Sequence, residues 1–438
     1  MRVLLVSLNR ETFPTPVMPV GVLHIAANLR TAGHDVRFLD LCFSPVPAAD
    51  LRATIADFKP GLIGFSLRNL ENHVMTDYRS YLPEARDLIQ TAMRSTTAPT
   101  VAGGASFSLF PCEATAYLKP TYGLAGEAEH TVVELVRRLE TGEPVGDIPG
   151  LCQWRDGQVV DNRAEQITDF TQLPLPALDL FDRDAYRAAH ATWGVETKRG
   201  CEFRCAFCAE SAKHEHYRLR EPRLVVDEME AAVSLGLKRL SIVDGIFNHP
   251  ADHAVAVCEE ILRRGLKVRW SGGLTPVGLT AEILDIMKRA GYSDASLGLD
   301  AASTKMLRVY QKAFTADDAL RAFKLLAQAG IPFITNVLLG GPGETMETIA
   351  ETMSFLETIP QPRMVLFAMG IRIYPGTTLE LLARADGWSE GDQGIAAPRY
   401  YFSSALPADA IDRIEQVCRT HDNWFTPRKE WELFRPRS

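Results

Sequence analysis

Short apolar runs alternate with amphipathic stretches along most of this chain, and that alternation leaves few folds open. In residues 1–142, the segments 3–7, 36–39, 62–66, 100–102 and 122–125 have the length and composition of buried strands. Between them apolar residues return at helical spacing: Val22, Ile25, Ala26 and Leu29, then Leu51, Ile55 and Phe58. Thr131 and Glu134 form a candidate capping box ahead of Leu135, Val136 and Leu139. Successive βα units predict a doubly wound α/β sheet of Rossmann or flavodoxin type, because parallel strands need crossover connections. Such sheets bind ligands at the carboxyl ends of their strands. Here those ends carry Ser66, Arg68 and Asn69, then Gly103 and Gly104, then Gly126, Glu127 and Glu129. Glycines there would let backbone approach a large ligand closely.

A second alternation begins at Trp193, with strands expected at 192–197, 239–243, 268–271, 295–299, 331–338 and 364–371. Six βα units suit an open, TIM-like partial (β/α)6 barrel, in which chemistry lies at the strand carboxyl ends. The residues expected there are Asp244-Gly245, Ser271-Gly272-Gly273, Asp300, the stretch from Gly340 to Thr345 and the stretch from Arg372 to Thr377. Residues 143–190 read as a linker, with Pro144, Pro149, a small hairpin around Asp156-Gly157 and the run Leu173-Pro174-Leu175-Pro176. The organisation expected is therefore 1–142, a linker at 143–190, a barrel at 191–382 and an extension at 383–438. That extension holds Tyr400, Tyr401, Phe402, Trp424, Phe425, Trp431 and Phe434, which suit packing or a substrate lid.

Three of the eight cysteines fall close together in Lys198-Arg199-Gly200-Cys201-Glu202-Phe203-Arg204-Cys205-Ala206-Phe207-Cys208. Such crowding asks for a metal. Three thiolates can hold three irons of a four-iron, four-sulfur cube, and Cys42, Cys112, Cys152, Cys258 and Cys418 are too scattered to offer an obvious fourth local ligand. A structural zinc site would want four ligands, and His214 or His216 could supply one. A two-cluster ferredoxin would space its cysteines C-x2-C-x2-C-x3-C, which this is not. A disulfide staple suits a small secreted domain rather than a chain of 438 residues.

The C-x3-C-x-aromatic-C spacing resembles the radical S-adenosylmethionine (radical SAM) superfamily, and residues 192–197 lead straight into it as a first barrel strand. The resemblance implies a [4Fe-4S] cluster on Cys201, Cys205 and Cys208, whose open iron chelates the amino and carboxylate groups of SAM. It implies Phe207 near the adenine and Asp244 and Asp300 on the amino or ribose groups, with Ser271, Gly341 and Tyr374 as further cofactor contacts. The Gly-x-Pro-Gly-Glu-Thr and Tyr-Pro-Gly-Thr segments are similar to ones common in this superfamily, although helix entry and turn chemistry explain them equally. Gly245, where the family often has a second carboxylate, and Asp300, where it has a glutamate, depart from the pattern.

Residues 1–142 resemble the cobalamin-binding domain that precedes many radical SAM domains. The features carrying this are Pro14, Pro16, Pro19 and Gly21 in the first loop, Ala32-Gly33-His34-Asp35-Val36 before the second strand, Gly103-Gly104, and Gly126-Glu127-Ala128-Glu129. No D-x-H-x-x-G motif supplies a histidine to cobalt, so the implied cobalamin is base-off, with Arg68 and Asn69 at its lower face. The other reading is a flavodoxin-like sheet holding a nucleotide or nothing; no G-x-G-x-x-G follows the first strand.

A formal charge of −8 argues against a large nucleic-acid footprint. Neither a signal-peptide pattern nor an apolar run of eighteen residues is visible, so no membrane partner is expected and a cytoplasmic location is. The resemblance implies a cobalamin-dependent radical SAM methyltransferase that moves a methyl group from SAM by way of methylcobalamin to a carbon of a small molecule. An external reductant such as flavodoxin or ferredoxin would serve it. The alternatives are a cyclisation, rearrangement or oxidation on the same cofactors, or a cobalamin- or metal-binding sensor without turnover.

Overall fold

The computed structural model describes residues 1–13, 15–210, 216–389, 391 and 394–428. Pro14, His214, Trp431 and Phe434 lie outside the described residues. The chain divides into two units, one of Met1–Asn72, Arg79–Trp193 and Gly391–Ala397, the other of His73–Tyr78, Gly194–Glu390 and Pro398–Ser438.

In the first unit β1 (Arg2–Ser7), β2 (Asp35–Asp40), β3 (Leu62–Ser66), β4 (Thr100–Gly103) and β5 (Tyr122–Leu124) form a parallel sheet in the order β2-β1-β3-β4-β5. Between them run α1 (Val20–Thr31), α2 (Pro47–Phe58), α3 (Leu82–Ser95) and α4 (Pro111–Leu118), followed by α5 (Thr131–Thr141). Val3 to Ser7 are buried without interruption because helices cover both faces, which is why the strand reads as an apolar run and not as an alternation. Val3 and Leu5 pack with Ala26 and Leu29 of α1 and with Leu135 and Val136 of α5. Prolines in the first turns of α2, α3 and α4 start those helices where the missing N–H has no intrahelical use.

Two expectations are corrected in this unit. The Thr131–Glu134 capping box does not form: the cap position is His130, and Thr131 is already helical, its Oγ1 buried and unbonded. Glu134 turns instead to Arg138 Nε at 2.6 Å and Arg137 Nε at 2.8 Å. The hairpin around Asp156-Gly157, both residues at positive φ, forms as β6 (Leu151–Arg155) and β7 (Gln158–Asp161), but it extends the sheet rather than standing apart. Gly123 makes this pairing possible, since a Cβ there would lie 2.4 Å from Thr115 Oγ1 and 2.9 Å from Cys152 Cβ.

In the second unit β8 (Trp193–Val195) leads to a small antiparallel ladder of β9 (Lys198–Arg199) with β10 (Arg218–Leu219). Then follow β11 (Arg239–Ile242), β12 (Arg269–Leu274), β13 (Tyr292–Asp300), β14 (Phe333–Leu339) and β15 (Met364–Met369). A second small ladder joins β16 (Ile371–Arg372) to β17 (Tyr400–Tyr401), and β18 (Trp424–Phe425) comes last. The main sheet runs β8-β11-β12-β13-β14-β15-β18 and is open at both edges. The extension thus adds a seventh parallel strand that the six-unit reading missed; Val365 faces Trp424 and Leu366 faces Phe425. Two residues are too few to show a period. Along β14 and β15 fully buried residues alternate with partly accessible ones, so one face of the sheet is sealed and the other keeps open surface. No helix among the described residues is long and apolar enough to cross a membrane.

After β14 the chain turns through Gly340 to Thr345. Glu344 is fully buried, and its Oε2 accepts the amides of Gly340 and Gly341, the latter at 3.0 Å. Thr345 caps the helix Met346–Thr358 by accepting from the Thr348 amide. This stretch is helix entry and turn chemistry, the simpler of its two readings.

Two outcomes follow from this packing. Trp424 is 2% exposed, its ring stacked on His421 at 3.8 Å and tilted against Phe367 at 5.4 Å. Trp424→Ala should destabilise the second unit by about 3–5 kcal/mol, read as a lowered urea midpoint; an unchanged midpoint would show β18 to be marginal to the fold. Burial pushes the Glu344 carboxyl up to about 7 against the pull of the two backbone amides. The folded protein holds that proton more tightly than the unfolded chain, so this stability is full below the ordinary value of 4.5 and is lost as pH rises through about 7. Glu344→Gln keeps an acceptor for both amides, so the Tm difference between variant and wild type should move in the variant's favour from about pH 5 to about pH 8. A constant difference would contradict the assignment.

Candidate functional site

The cysteine loop leaves β9 at Gly200, whose φ of 88° favours glycine, and closes on itself where the Cys208 amide donates to the Cys205 carbonyl at 3.1 Å. Neighbouring elements hold its middle from two sides. The Ala206 amide donates to the Tyr310 carbonyl at 3.0 Å, and the Ala206 carbonyl accepts from the Leu379 amide at 2.8 Å. Cys201, Cys205 and Cys208 are half-buried, as is Cys112, whereas Cys42, Cys152, Cys258 and Cys418 are buried; none of the eight is in a disulfide among the described residues. Among the described residues no three His, Cys, Asp or Glu side chains gather where they could hold a single ion. In a cube each thiolate takes a different iron, so three half-buried thiols on one braced loop suit it where a single ion would need all its ligands at one point. His214, the possible zinc ligand, lies outside the described residues.

The start of the loop is fixed by Asp244, just past β11. Its Oδ1 accepts from the Thr197 amide at 2.8 Å, and its Oδ2 accepts from the Thr197 hydroxyl and from Lys198 Nζ at 3.1 Å. The Asp244 and Lys198 side chains are 2% and 1% exposed. Both oxygens of Asp244, the residue expected at SAM, thus have partners inside the protein. The ring of His253 adds a contact from Nε2 to the Thr197 carbonyl at 3.1 Å.

Asp300 ends β13 in the left-handed region, φ 62°, and its Oδ2 accepts from Lys312 Nζ at 2.6 Å. Its other oxygen has no hydrogen-bond partner among the described residues. Lys312 Nζ also lies 3.8 Å from Cys205 Sγ. Phe207 packs edge-on against Tyr310, centroids 5.4 Å apart, and Tyr310 is the residue that requires glycine at 341, where a Cβ would fall 2.4 Å from its hydroxyl. Tyr374 is half-buried, with the Arg372 guanidinium 5.3 Å from its ring centre. The structure thus gathers Phe207, Asp300, Gly341 and Tyr374 around the cysteines. Ser271 lies within β12, which continues to Leu274, and not past its end as expected. The glycines after it do not break the strand because β13 pairs with it through Gly272, Gly273 and Leu274. The Ser271 hydroxyl is half-buried and has no partner among the described residues.

In the first unit the sheet order reverses direction between β1 and β3, and the carboxyl ends of those strands flank the crevice where doubly wound sheets take ligands. Asn9 Nδ2, just past β1, is buried with no hydrogen-bond partner among the described residues. Ser66, half-buried, joins the two strand ends through its carbonyl, which accepts from the Leu8 amide at 3.2 Å. Arg68 is exposed and makes no ion pair among the described residues; Glu71, its candidate partner, is fully buried. In the orientation that satisfies it, the Asn69 amide donates to the Arg68 carbonyl and accepts from Arg68 Nη1, each at 3.0 Å. Ser106 Oγ donates to the same carbonyl at 2.6 Å.

The strand-end glycines of this unit have an internal reason. A Cβ on Gly104, φ 114°, would lie 2.6 Å from the Leu67 carbonyl oxygen, and one on Gly103 would lie 2.9 Å from that of Leu124. Gly126 would meet Ala164 Cβ at 2.6 Å. Glu127 accepts the Ile167 amide at 2.8 Å, Glu129 is buried, and Pro16 is buried in the first loop. Sequence reasoning missed Asn9, Ser106, Lys198 and Lys312. Of these only Lys198, within the motif stretch itself, carried a visible signal, a cation too close to a buried strand to be solvated.

Residues 6–136 match the model of the B12 binding domain and residues 195–356 that of the Radical SAM superfamily. The tryptophan 2-C-methyltransferase of Streptomyces laurentii is 25% identical over 452 residues, covering 87% of this chain and 74% of its own. An uncharacterized methyltransferase of Pyrococcus horikoshii is 24% identical over 368 residues, covering 82% and 78%. The structure of the radical S-adenosylmethionine methyltransferase TsrM from Kitasatospora setae, with cobalamin and a [4Fe-4S] cluster bound, matches with a TM-score of 0.85 at 25% identity over 97% of this chain and 93% of that one. With three cysteines on one braced loop of the second unit and a reversal of strand order in the sheet of the first, the chain belongs to the cobalamin-dependent radical SAM enzymes, a B12-binding domain followed by a radical SAM domain.

Proposed function

We propose that this protein is a cobalamin-dependent radical SAM methyltransferase that carries a methyl group from SAM to a carbon of a small molecule. The observation that supports it best is the braced loop of three half-buried thiols in a chain that two methyltransferases match over more than four fifths of its length. When bound, the cluster and SAM supply one-electron and radical chemistry, and cobalamin supplies a carrier for the methyl group.

The chain's own residues bind, orient and exclude. Cys201, Cys205 and Cys208 hold the cluster, and Asp244 and Lys198 fix where their loop begins. Phe207 offers an apolar face to an adenine. The open carboxylate oxygen of Asp300 accepts from an ammonium or ribose hydroxyl, a contact worth roughly 1.5–3 kcal/mol. The Ser271 hydroxyl can serve the ribose, and Tyr374 closes the cysteine side. In the first unit Asn9 Nδ2 and the Arg68 guanidinium are donors without acidic partners, suited to the amide-bearing rim and lower face of a corrin. Arginine stays protonated and is a poor metal ligand, so below a base-off cobalamin it would repel a coordinating water and favour low cobalt coordination.

The substrate is a small molecule, as tryptophan is for the relative named after it. A low-potential donor such as flavodoxin or ferredoxin would reduce the cluster, and the reducing cytoplasm suits it. The net charge of −8 favours no nucleic-acid partner.

With reconstituted protein, a strong reductant and SAM under anaerobic conditions, S-adenosylhomocysteine should form only when cobalamin is present; its absence would contradict methyl transfer. Cys205→Ala should lose the iron and the visible absorbance of the cluster while Cys258→Ala, in a site whose thiol burial pushes up to about 12, keeps both. Retention of a full cube in the first variant would overturn the ligand assignment. Arg68→Ala should change the absorption spectrum of bound cobalamin towards a water-ligated form, with a smaller change in Asn69→Ala; identical spectra in all three proteins would remove both residues from the lower face.

A further inference from the structure

The segment from Asp300 to Lys312 grips the cysteine loop at several points. The Tyr310 carbonyl takes the Ala206 amide, the Tyr310 ring packs on Phe207, and Lys312 Nζ reaches Cys205 Sγ at 3.8 Å. The segment is bounded by two non-glycine residues in the left-handed region, Asp300 at φ 62° and Gln311 at φ 55°. Residues accept that conformation where surrounding contacts enforce it. Here the consequence is to bring the Asp300 carboxylate and the neighbouring Lys312 ammonium together at 2.6 Å, their side chains 15% and 10% exposed. The rings of Phe207 and Phe314 flank the ammonium, with centroids 5.9 and 5.1 Å from Nζ. Water therefore has little room to screen this pair, and its charges act on whatever Cys205 binds.

We propose that the Lys312–Asp300 pair sets the reduction potential of the cluster held by Cys201, Cys205 and Cys208, a proposal that rests on that ligand assignment. Adding one electron makes the cluster more negative. A fixed positive charge beside one of its thiolates favours the reduced form and raises the potential, as hydrogen bonds to cluster sulfurs also do. Asp300 opposes this by neutralising part of the ammonium's charge. Lys312 and Asp300 are positioning residues here: they act on the electron affinity of the cluster through Cys205, and the electron itself comes from a low-potential one-electron donor.

The two charges make the test directional. In reconstituted holoenzyme without SAM, the fraction of reduced cluster is followed by electron paramagnetic resonance during titration against a low-potential chemical reductant. Lys312→Met should lower the ratio of reduced to oxidised cluster at a fixed potential about tenfold, a shift of about 59 mV for a one-electron couple. Asp300→Asn should shift the potential in the opposite direction, and Lys312→Arg should restore it towards wild type. Shifts of the same sign in the methionine and asparagine variants would mean that the pair merely supports the loop, and unchanged potentials would mean that its charges are screened; either overturns the proposal. A wild-type protein that assembles no cluster would instead overturn the ligand assignment on which it rests.

Discussion

The buried ion pair between Lys198 and Asp244 fixes the geometry of the second unit's chemistry. β8 is a three-residue strand at the open edge of its sheet, and nothing in its own pairing would determine where the chain goes next. Asp244 settles this by taking the Thr197 amide and hydroxyl and the Lys198 ammonium at once, while Lys198 Nζ also donates to the Phe247 carbonyl at 3.3 Å. Two charges so deeply buried are tolerable only when fully paired, and removing one partner of such a pair typically costs 3–5 kcal/mol. The cysteine loop starts two residues later, so the direction of three thiols depends on a carboxylate that touches none of them.

The βα alternation was legible because parallel sheets covered on both faces leave continuous apolar runs, as in Val3 to Val6. The cysteine loop was legible because its spacing is local. What depends on distant pairing was not. Gly272 and Gly273 look like the end of a strand, yet β12 runs through them because β13 pairs with them, Gly272 opposite Ala295 and Gly273 opposite Ser296. β18 pairs Trp424 and Phe425 with Val365 and Leu366, far earlier in the chain. The β6–β7 hairpin was visible, but its addition to the sheet depends on Gly123 having no side chain. Thr131 and Glu134 have the right residue types for a capping box, one position too late in the helix.

At the site, sequence supplied residue types at strand ends but not the direction each side chain faces. Asp244 and Asp300 both follow strands and both carry carboxylates. One faces inward, its oxygens fully used, while the other shares one oxygen with Lys312 and keeps the second open. The strand-end glycines teach a related lesson. Gly103, Gly104 and Gly341 stand where a ligand-binding loop would need them, and each is already required by a neighbouring backbone or ring. Glycine at a strand end therefore marks close approach without saying what approaches.

On this account the protein joins two devices in one chain: a sheet reversal bordered by Asn9 and Arg68, suited to a corrin, and a braced thiol loop suited to an iron–sulfur cluster. Their joint purpose, methyl transfer to carbon, is open to direct measurement. Holoenzyme supplied with SAM bearing a trideuterated methyl group, a reductant and a pool of host small molecules should yield a product in which one hydrogen on carbon has been replaced by the intact labelled methyl. A product that is cyclised or oxidised and carries no label, formed at the expense of SAM, would contradict the account.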